Sequence, residues 1–200
     1  MKKKQIITKD KTADFLFEAG MLAKTPRSGF FFLGSGDQSV AEHINRVCYI
    51  GFALANMAEG VNQAKVIEMC LFHDFAEARV SDLNYVHQLY TKRDEESAIK
   101  DLTSNLPFGK VIDNILHEYE TRESYESKLA KDADNIELIL TLKEQLDIGN
   151  ERAKSWISNA VKRLKTKEAQ QLAQSIIKTD SDQWWNTNDE DWWVNRVKKI

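Results

Sequence analysis

The amino-acid sequence predicts an all-α protein, and three observations support this fold class. Proline and glycine, which interrupt helices, are scarce: the 200 residues include two prolines and eight glycines. Apolar residues recur at three- and four-residue spacing through most of the chain, which is the period of an amphipathic helix. No internal repeat, low-complexity segment or sharp change of composition marks a domain boundary. We therefore expect a single helical bundle.

The N-terminal part of the chain is predicted to contain one helix followed by an irregular connection. Asp10 or Thr12 can cap a helix that ends near Gly20, because aspartate and threonine favour helix starts and glycine favours helix ends. The segment 25–36 is the richest in turn-forming residues. We expect it to form a long irregular connection.

Two helices are predicted in the next part of the chain. Ser39 followed by Glu42 is the pattern of a capping box, which predicts a helix that starts at Ser39 and ends near Gly60. The segment 62–78 is apolar on most of its faces. A helix with that pattern is expected to lie at the centre of a bundle.

The rest of the chain is predicted to be helical as well. Apolar residues recur at helical spacing in five further segments, 94–106, 107–115, 124–147, 151–164 and 169–176. After them come two tryptophan pairs, Trp184-Trp185 and Trp192-Trp193. We expect one or two short helices whose indoles cover the bundle. The alternative is an oligomer interface or a cover for an active site, because tryptophan is enriched at binding hot spots.

Composition excludes several classes of protein. The 28 basic and 31 acidic residues give a net charge of −3, and a duplex DNA binder usually carries a stronger positive charge, so we expect no nucleic-acid partner. The longest apolar run, 47–55, has nine residues, too few to span a bilayer. The N-terminus lacks the apolar stretch of a signal peptide. We therefore expect a cytoplasmic protein without membrane association, in which Cys48 and Cys70 are free thiols.

Four polar side chains occur where apolar surroundings are expected. His73 and Asp74 interrupt an apolar helix, His43 lies on the apolar stripe of the preceding helix, and Asp134 is flanked by another such stripe. Burying these groups is costly unless they are satisfied. A divalent cation would satisfy them, since imidazole nitrogen and carboxylate oxygen suit transition metals. The alternative is hydrogen bonds and ion pairs within the core.

The sequence resembles a known family at these positions. The H…HD…D signature of the HD-domain metal-dependent phosphohydrolases is matched in order by His43, His73, Asp74 and Asp134. The segments 24–30, 39–43 and 73–82 narrow the resemblance to the branch of bacterial 5′-deoxynucleotidases and human HD-domain-containing protein 2. On this resemblance, residues 1–150 form the HD-domain core. Residues 151–200 supply C-terminal helices that pack on it within the same structural domain.

The resemblance implies a cofactor and a substrate. One divalent ion would be held by the four signature residues and would activate a bound water. Two imidazole ligands favour Mn, Co, Fe, Ni or Zn, and Mg stays an alternative. The implied substrates are deoxynucleoside 5′-monophosphates, which are hydrolysed to nucleoside and phosphate. The resemblance also favours a homodimer, although the sequence leaves the oligomeric state open.

The resemblance assigns further residues to the site. Glu77 and Asp82 match the catalytic carboxylates, and the sequence does not decide which one acts as acid and which as base. Glu77 stands four residues after His73, so a continuous helix would place both on one face. The alternatives are a surface carboxylate at Glu77 and a turn residue at Asp82.

Three more residues are candidates for binding the substrate. Arg27 matches a phosphate-binding arginine, and its guanidinium could clamp a phosphate. Phe30 lies where bacterial relatives carry a tryptophan, with core packing as the alternative. Glu118 resembles the branch's pattern, and a solvated helix face is the alternative.

The sequence thus predicts a phosphohydrolase that cleaves the 5′-phosphate of (deoxy)nucleoside monophosphates. One alternative is an HD hydrolase of another phosphorylated small molecule, such as a cyclic nucleotide or an alarmone. The other is a non-catalytic module that binds nucleotides. The sequence does not determine the preferred base, the preferred sugar or the physiological metal.

Overall fold

The computed structural model describes residues 11–186 and Val194, and eleven α-helices follow one another within residues 11–186. They are α1 (Lys11–Ala19), α2 (Phe30–Leu33), α3 (Val40–Met57), α4 (Gln63–Phe72), α5 (Glu77–Val80), α6 (Tyr85–Tyr90), α7 (Glu95–Thr103), α8 (Gly109–Thr121), α9 (Tyr125–Asp147), α10 (Arg152–Val161) and α11 (Lys167–Lys178). A 3₁₀ helix, Gly20–Lys24, follows α1. No β-strand occurs in the described part of the chain, so the predicted all-α class is confirmed.

The core of the bundle forms around α9, which packs against α3, α4, α8, α10 and α11. Large apolar side chains from α3, α4 and α9 are fully buried there, among them Leu54, Met69, Leu129, Ile136 and Ile139. Each contributes roughly 1.5–3 kcal/mol through the removal of its apolar surface from water. This packing fixes α3 and α9, which carry His43 and Asp134, and α4, which directly precedes His73 and Asp74.

The predicted helix starts agree with the structure where a capping residue is present. Ser39 accepts a hydrogen bond from the Glu42 backbone N–H, and Glu42 reaches back to the Ser39 backbone, which completes the capping box of α3. Ser124 caps α9 and Asp94 caps α7. These caps satisfy backbone N–H groups that have no partner within the helix.

One predicted helix is shorter than expected. The apolar pattern predicts a helix over 62–78, but α4 ends at Phe72. The backbone N–H of Phe75 donates to the Phe72 carbonyl at 2.9 Å, and that of Glu77 donates to the Asp74 carbonyl at 3.0 Å. Hydrogen bonds that span three residues tighten the turn beyond α-helical geometry. The expectation that His73 and Glu77 share the face of one continuous helix is therefore wrong.

Short helices also occur where none was predicted. α2 lies within the segment 25–36, which was expected to be irregular throughout. α6 begins after Asn84, whose side chain accepts hydrogen bonds from the backbone N–H groups of Val86 and His87. Four to six residues are too few to show a helical period in the sequence.

The C-terminal helices contribute to the same core as the rest of the bundle. Ala153, Ile157 and Ala160 of α10 and Ala169 and Ala173 of α11 belong to the main cluster of buried apolar residues. The division of the chain at residue 150 stays a prediction.

The sequence also predicts that the C-terminal tryptophans cover the bundle and that the two cysteines are free thiols. Trp184 is 84% exposed, so the expectation that its indole covers the bundle is wrong. Trp192 and Trp193 lie outside the described residues. Cys48 and Cys70 are free, as expected. None of the described helices has the length and apolar character needed to cross a membrane.

Candidate metal centre

The four candidate ligands come from three separate parts of the fold and converge on one point. His43 lies in α3, His73 and Asp74 follow α4, and Asp134 lies in α9. The Nε2 atoms of the two histidines are 3.3 Å apart. Oδ1 of Asp134 lies 3.2 Å from Nε2 of His43 and 4.0 Å from Nε2 of His73. Oδ2 of Asp74 lies 3.5 and 3.2 Å from the same two nitrogens.

The tight turn after α4 makes this convergence possible. Adjacent residues on an α-helix point in different directions, so a regular helix would separate the side chains of His73 and Asp74. In the turn, Nε2 of His73 lies 3.2 Å from Oδ2 of Asp74. Because α4 ends at Phe72, the side chains of His73 and Asp74 can reach the same point.

Both imidazole rings are held by their other nitrogen. Nδ1 of His43 lies 2.7 Å from Oε2 of the buried Glu137, and Nδ1 of His73 lies 2.9 Å from the carbonyl oxygen of Cys70. With the proton on Nδ1 donated to these acceptors, each Nε2 presents a lone pair to the common point. Hydrogen bonds of this kind orient metal-binding histidines in many proteins.

Glu137 is itself held by further hydrogen bonds. Nη2 of Arg46 and Nε2 of Gln38 donate to its Oε1 at 2.8 and 2.7 Å. Burial opposes its ionisation, but the hydrogen bond with His43 and the charge of Arg46 outweigh burial and lower the pKa of Glu137 to about 2. The residue is therefore ionised at neutral pH.

The electrostatics of the site favour an additional positive charge. Burial and the charge of Arg27 oppose protonation of His43, but hydrogen bonds with Asp134 and Glu137 raise the pKa of His43 to about 9. Burial also opposes ionisation of Asp134, yet Lys131 and His43 hold its pKa well below the usual range. A site that stabilises a proton in this way also suits a cation.

The donor set fits a divalent metal ion. Two imidazole nitrogens and two carboxylate oxygens suit the later transition metals. Among the residues that the structure describes, His43, His73 and Asp134 form a group whose ligand atoms all lie within 4.8 Å of one another. This group could hold a metal ion, and Asp74 lies close enough to join it.

Arg27 and Asp82 lie next to this cluster. Nη1 of Arg27 lies 3.3 Å from Oδ2 of Asp74. Oδ2 of Asp82 accepts a hydrogen bond of 2.6 Å from the backbone N–H of Ser28. The loop that carries Arg27 is fixed because its backbone N–H donates to the carbonyl of Gln38 at 2.8 Å. The structure therefore brings both predicted residues to the edge of the candidate metal centre.

Glu77 is also near the site, although not on the predicted continuous helix. The residue is buried, with 7% of its surface exposed. Its Oε1 lies 3.1 Å from Nη1 of Arg93. Oε2 is buried and has no hydrogen-bond partner among the described residues. Burial, together with the charges of Asp74 and Asp82, raises the pKa of Glu77 to about 8.

The two remaining candidates differ in position. Phe30 lines a cavity of about 150 Å³ together with Arg27, Asp82 and Trp156. Glu118 does not line that cavity or the larger groove that contains Asp134. Its carboxylate pairs with Nζ of Lys65 on α4 at 2.8 Å. The structure therefore brings Phe30 to the site and leaves Glu118 apart from it.

Sequence reasoning missed several residues of the site. Glu137 could have been suspected because it is an acidic residue three positions after Asp134 within an apolar stretch. Tyr119, whose ring centroid lies 5.5 Å from that of His73, has a buried hydroxyl without a partner among the described residues. Asp132 is buried and accepts hydrogen bonds from the backbone N–H groups of Lys165 and Thr166. Asp132, two positions before Asp134, is therefore a buried structural residue and not a solvated charge.

Comparison with known sequences places this arrangement in context. A family model described as HD domain matches residues 19–176. The 5′-deoxynucleotidase HDDC2 of Bos taurus is 34% identical over 142 residues, which are 68% of this chain and 68% of that protein. The protein of the same name from Danio rerio is 31% identical over 141 residues, with 68% and 70% covered.

Solved structures agree in fold. A conserved hypothetical protein from Pyrococcus furiosus superposes with a TM-score of 0.73 and 25% identity over 84% of this chain and 99% of the other. A predicted metal-dependent phosphohydrolase from Magnetospirillum magnetotacticum has a TM-score of 0.66 and 21% identity, with 84% and 89% covered. The resemblance seen in the sequence is confirmed: from residue 19 to residue 176, this chain belongs to the HD domain family.

Proposed function

We propose that this protein is a metal-dependent phosphohydrolase that removes the 5′-phosphate of (deoxy)nucleoside monophosphates. The observation that carries the proposal is the convergence of four candidate ligands, His43, His73, Asp74 and Asp134, on one point. Nη1 of Arg27 lies next to them, 3.3 Å from Oδ2 of Asp74. Relatives named 5′-deoxynucleotidase support the choice of substrate.

The proposed ligands of the metal are His43, His73, Asp74 and Asp134. A divalent cation held there supplies Lewis acidity toward a phosphate oxygen and makes a water molecule more acidic. Two imidazoles among the ligands favour Mn, Co, Fe, Ni or Zn, with Mg as the alternative.

The proposed roles of the other residues follow from their contacts. Arg27 binds the phosphate through its planar guanidinium, which suits two phosphate oxygens at once. Asp82 lies beside the Arg27 loop through its bond to Ser28, where it can exchange a proton with the leaving oxygen. Glu77 has a pKa of about 8, near the value that makes an efficient acid or base at neutral pH. Phe30 provides an apolar wall for the nucleoside.

Phosphate release tests the proposal directly. The protein is treated with a chelator, and phosphate release from a panel of deoxynucleoside and nucleoside monophosphates is measured after Mn²⁺, Co²⁺, Zn²⁺ or Mg²⁺ is added. We expect release with at least one ion and none after chelation. Release from no monophosphate with any of these ions would falsify the proposal.

Variants separate a specific site from a contaminating phosphatase. His73→Ala removes one proposed ligand, and we expect loss of at least about 10³-fold in kcat/KM, because ligand loss removes the metal's contribution. His117→Ala is the matched control, since His117 is an exposed histidine of α8. Equal activity of the two variants would mean that the metal-dependent chemistry occurs elsewhere.

The assembly and the location of the protein stay predictions. A homodimer is favoured by the resemblance, and the structure offers an apolar groove on which Tyr49, Phe52 and Leu71 are 71%, 52% and 47% exposed. Sedimentation of the full chain decides the oligomeric state. The cytoplasmic location rests on the sequence alone.

A further inference from the structure

The candidate metal centre opens into a much larger groove. Asp74, Glu77, Asp82 and Asp134 line one part of a cavity of about 1020 Å³. Pockets for small ligands usually measure about 300–1,000 Å³, so this groove lies at the upper end of that range. Another part of the same cavity is lined by five basic residues, which we call the basic rim: Arg122, Lys128, Lys162, Arg163 and Lys165.

The basic rim is not neutralised by neighbouring carboxylates. The chain as a whole has a net charge of −3, yet none of the five rim side chains forms an ion pair with a carboxylate of residues 11–186. Lys131, which also lines the groove, is different because its Nζ lies 2.7 Å from Oδ2 of Asp134. Unpaired positive charges that face one cavity favour an anionic ligand.

Asp132 is a carboxylate that lines the same groove, and it is already engaged in hydrogen bonds. Its Oδ2 accepts hydrogen bonds from the backbone N–H of Lys165 at 2.9 Å and from the N–H and Oγ1 of Thr166 at 2.7 Å each. These bonds hold the segment after α10 against α9. The backbone that carries Lys165 of the rim is therefore fixed.

Arg163 is positioned in addition by its side chain. Nη2 of Arg163 donates a hydrogen bond of 2.7 Å to the hydroxyl of Tyr85, and the guanidinium carbon lies 5.7 Å from the centre of the Tyr85 ring. Tyr85 also lines the groove. A cation that is already oriented loses less conformational freedom when it binds a ligand.

Lys128 of the basic rim is separated from the metal centre along α9. Lys128 and Asp134 are both in α9 and are six residues apart, which corresponds to about 9 Å along the helix axis. Arg27, in contrast, lies next to Asp74. A phosphate held at Arg27 therefore leaves the rim free for a second anionic group of the same molecule.

We propose that the basic rim binds a second phosphate on the sugar of the substrate, so that nucleoside 3′,5′-bisphosphates are the preferred substrates. This inference rests on the proposed phosphohydrolase function. The oxygen of a water molecule forms a bond to the 5′ phosphorus, the bond between phosphorus and O5′ breaks, and O5′ gains a proton in exchange for the one that the water loses. The products are inorganic phosphate and a nucleoside 3′-phosphate.

The experiment compares three substrates under one set of conditions. Values of kcat/KM are measured for 2′-deoxyadenosine 5′-monophosphate, 2′-deoxyadenosine 3′,5′-bisphosphate and dATP, at low and at high salt. We expect the bisphosphate to exceed the monophosphate by about tenfold at low salt, equivalent to about 1.4 kcal/mol. The advantage should shrink at high salt, because the rim is solvated and its charges are screened.

Variants link the preference to the rim. In Lys128→Ala/Lys165→Ala we expect the ratio of kcat/KM for bisphosphate over monophosphate to fall by about tenfold, since two charged contacts are lost. Lys154→Ala, which removes an exposed lysine of α10 outside the groove, should keep the wild-type ratio. Thermal unfolding confirms that both variants are folded.

The outcomes distinguish this inference from the function on which it rests. If neither the monophosphate nor the bisphosphate releases phosphate, the proposed function fails. If the monophosphate is hydrolysed and the ratio is near one, only the role of the rim is overturned. A preference for dATP, removal of the 3′-phosphate, or an unchanged ratio in the double variant also overturns it.

Discussion

Nδ1 of His43 lies 2.7 Å from Oε2 of Glu137, and the two residues are 94 positions apart in the sequence. Both side chains are almost completely buried. Because Glu137 engages Nδ1, Nε2 of His43 is directed toward the other candidate ligands. The contact therefore connects the packing of α3 against α9 with the orientation of a proposed metal ligand.

Glu137→Gln is expected to weaken metal binding without removing a ligand. The amide keeps the size of the side chain but loses the charge that makes His43 a better donor, and changes of this kind typically cost about 10–100-fold in metal affinity. Competition with a chromophoric chelator measures the affinity for Zn²⁺. Glu144→Gln is the matched control, since Glu144 pairs with the same Arg46 at 2.6 Å but is exposed. Equal affinities of the two variants would contradict the prediction.

The sequence predicted the site where local patterns determine orientation. The capping box at Ser39 fixes the start of α3, and helical periodicity then places His43 on the face that packs in the core. The same reasoning places Asp134 correctly on α9. Such predictions succeed because each depends on residues within a few helical turns.

The rest of the site depends on contacts between distant segments. No helix-breaking residue marks the end of α4 at Phe72, so the turn that unites His73 and Asp74 has no signal of its own. Glu118 faces Lys65 because of the rotation of α8 against α4, which only the assembled packing determines. For the same reason, the sequence did not indicate that Glu137 contacts His43.

Removal of the metal is expected to destabilise the protein. A ligand that binds only the folded state at 100 times its Kd adds about 2.7 kcal/mol to the free energy of unfolding. Thermal unfolding with Zn²⁺ or Mn²⁺, and again after chelation, measures this difference. Asp134→Asn should lose most of the response, whereas Asp113→Asn, which alters an exposed residue of α8, should keep it. A response retained in Asp134→Asn would exclude Asp134 as a ligand.

Asp132 is expected to be essential for stability rather than for metal binding. It is 1% exposed and accepts four hydrogen bonds from Lys165 and Thr166. In Asp132→Ala these buried donors lose their acceptor, which should cost about 3 kcal/mol. Urea unfolding measures the change, and Glu123→Ala, at an exposed position, should leave stability within about 0.5 kcal/mol of the wild type. A similar effect of both substitutions would contradict the role assigned to Asp132.

Glu77 should make the metal-free protein less stable as the pH rises. Its pKa is about 8 in the folded state, compared with about 4.3 for an unfolded glutamate. Between these two values the folded state holds a proton that the unfolded state has released, so the free energy of unfolding falls with increasing pH. Below about pH 4 both states are protonated, so Glu77 causes no loss of stability there.

Glu77→Gln removes this titration and is therefore expected to stabilise the chelator-treated protein progressively from pH 5 to pH 8. At pH 7 the gain should be at least about 1 kcal/mol, because a single pKa unit is worth about 1.4 kcal/mol. Glu95→Gln is the matched control: its carboxylate pairs with the same Arg93 at 2.8 Å, but its side chain is 44% exposed. If the stability difference between Glu77→Gln and the wild type does not change with pH, the carboxyl of Glu77 is not protonated in the folded protein, and burial does not outweigh its ion pair with Arg93.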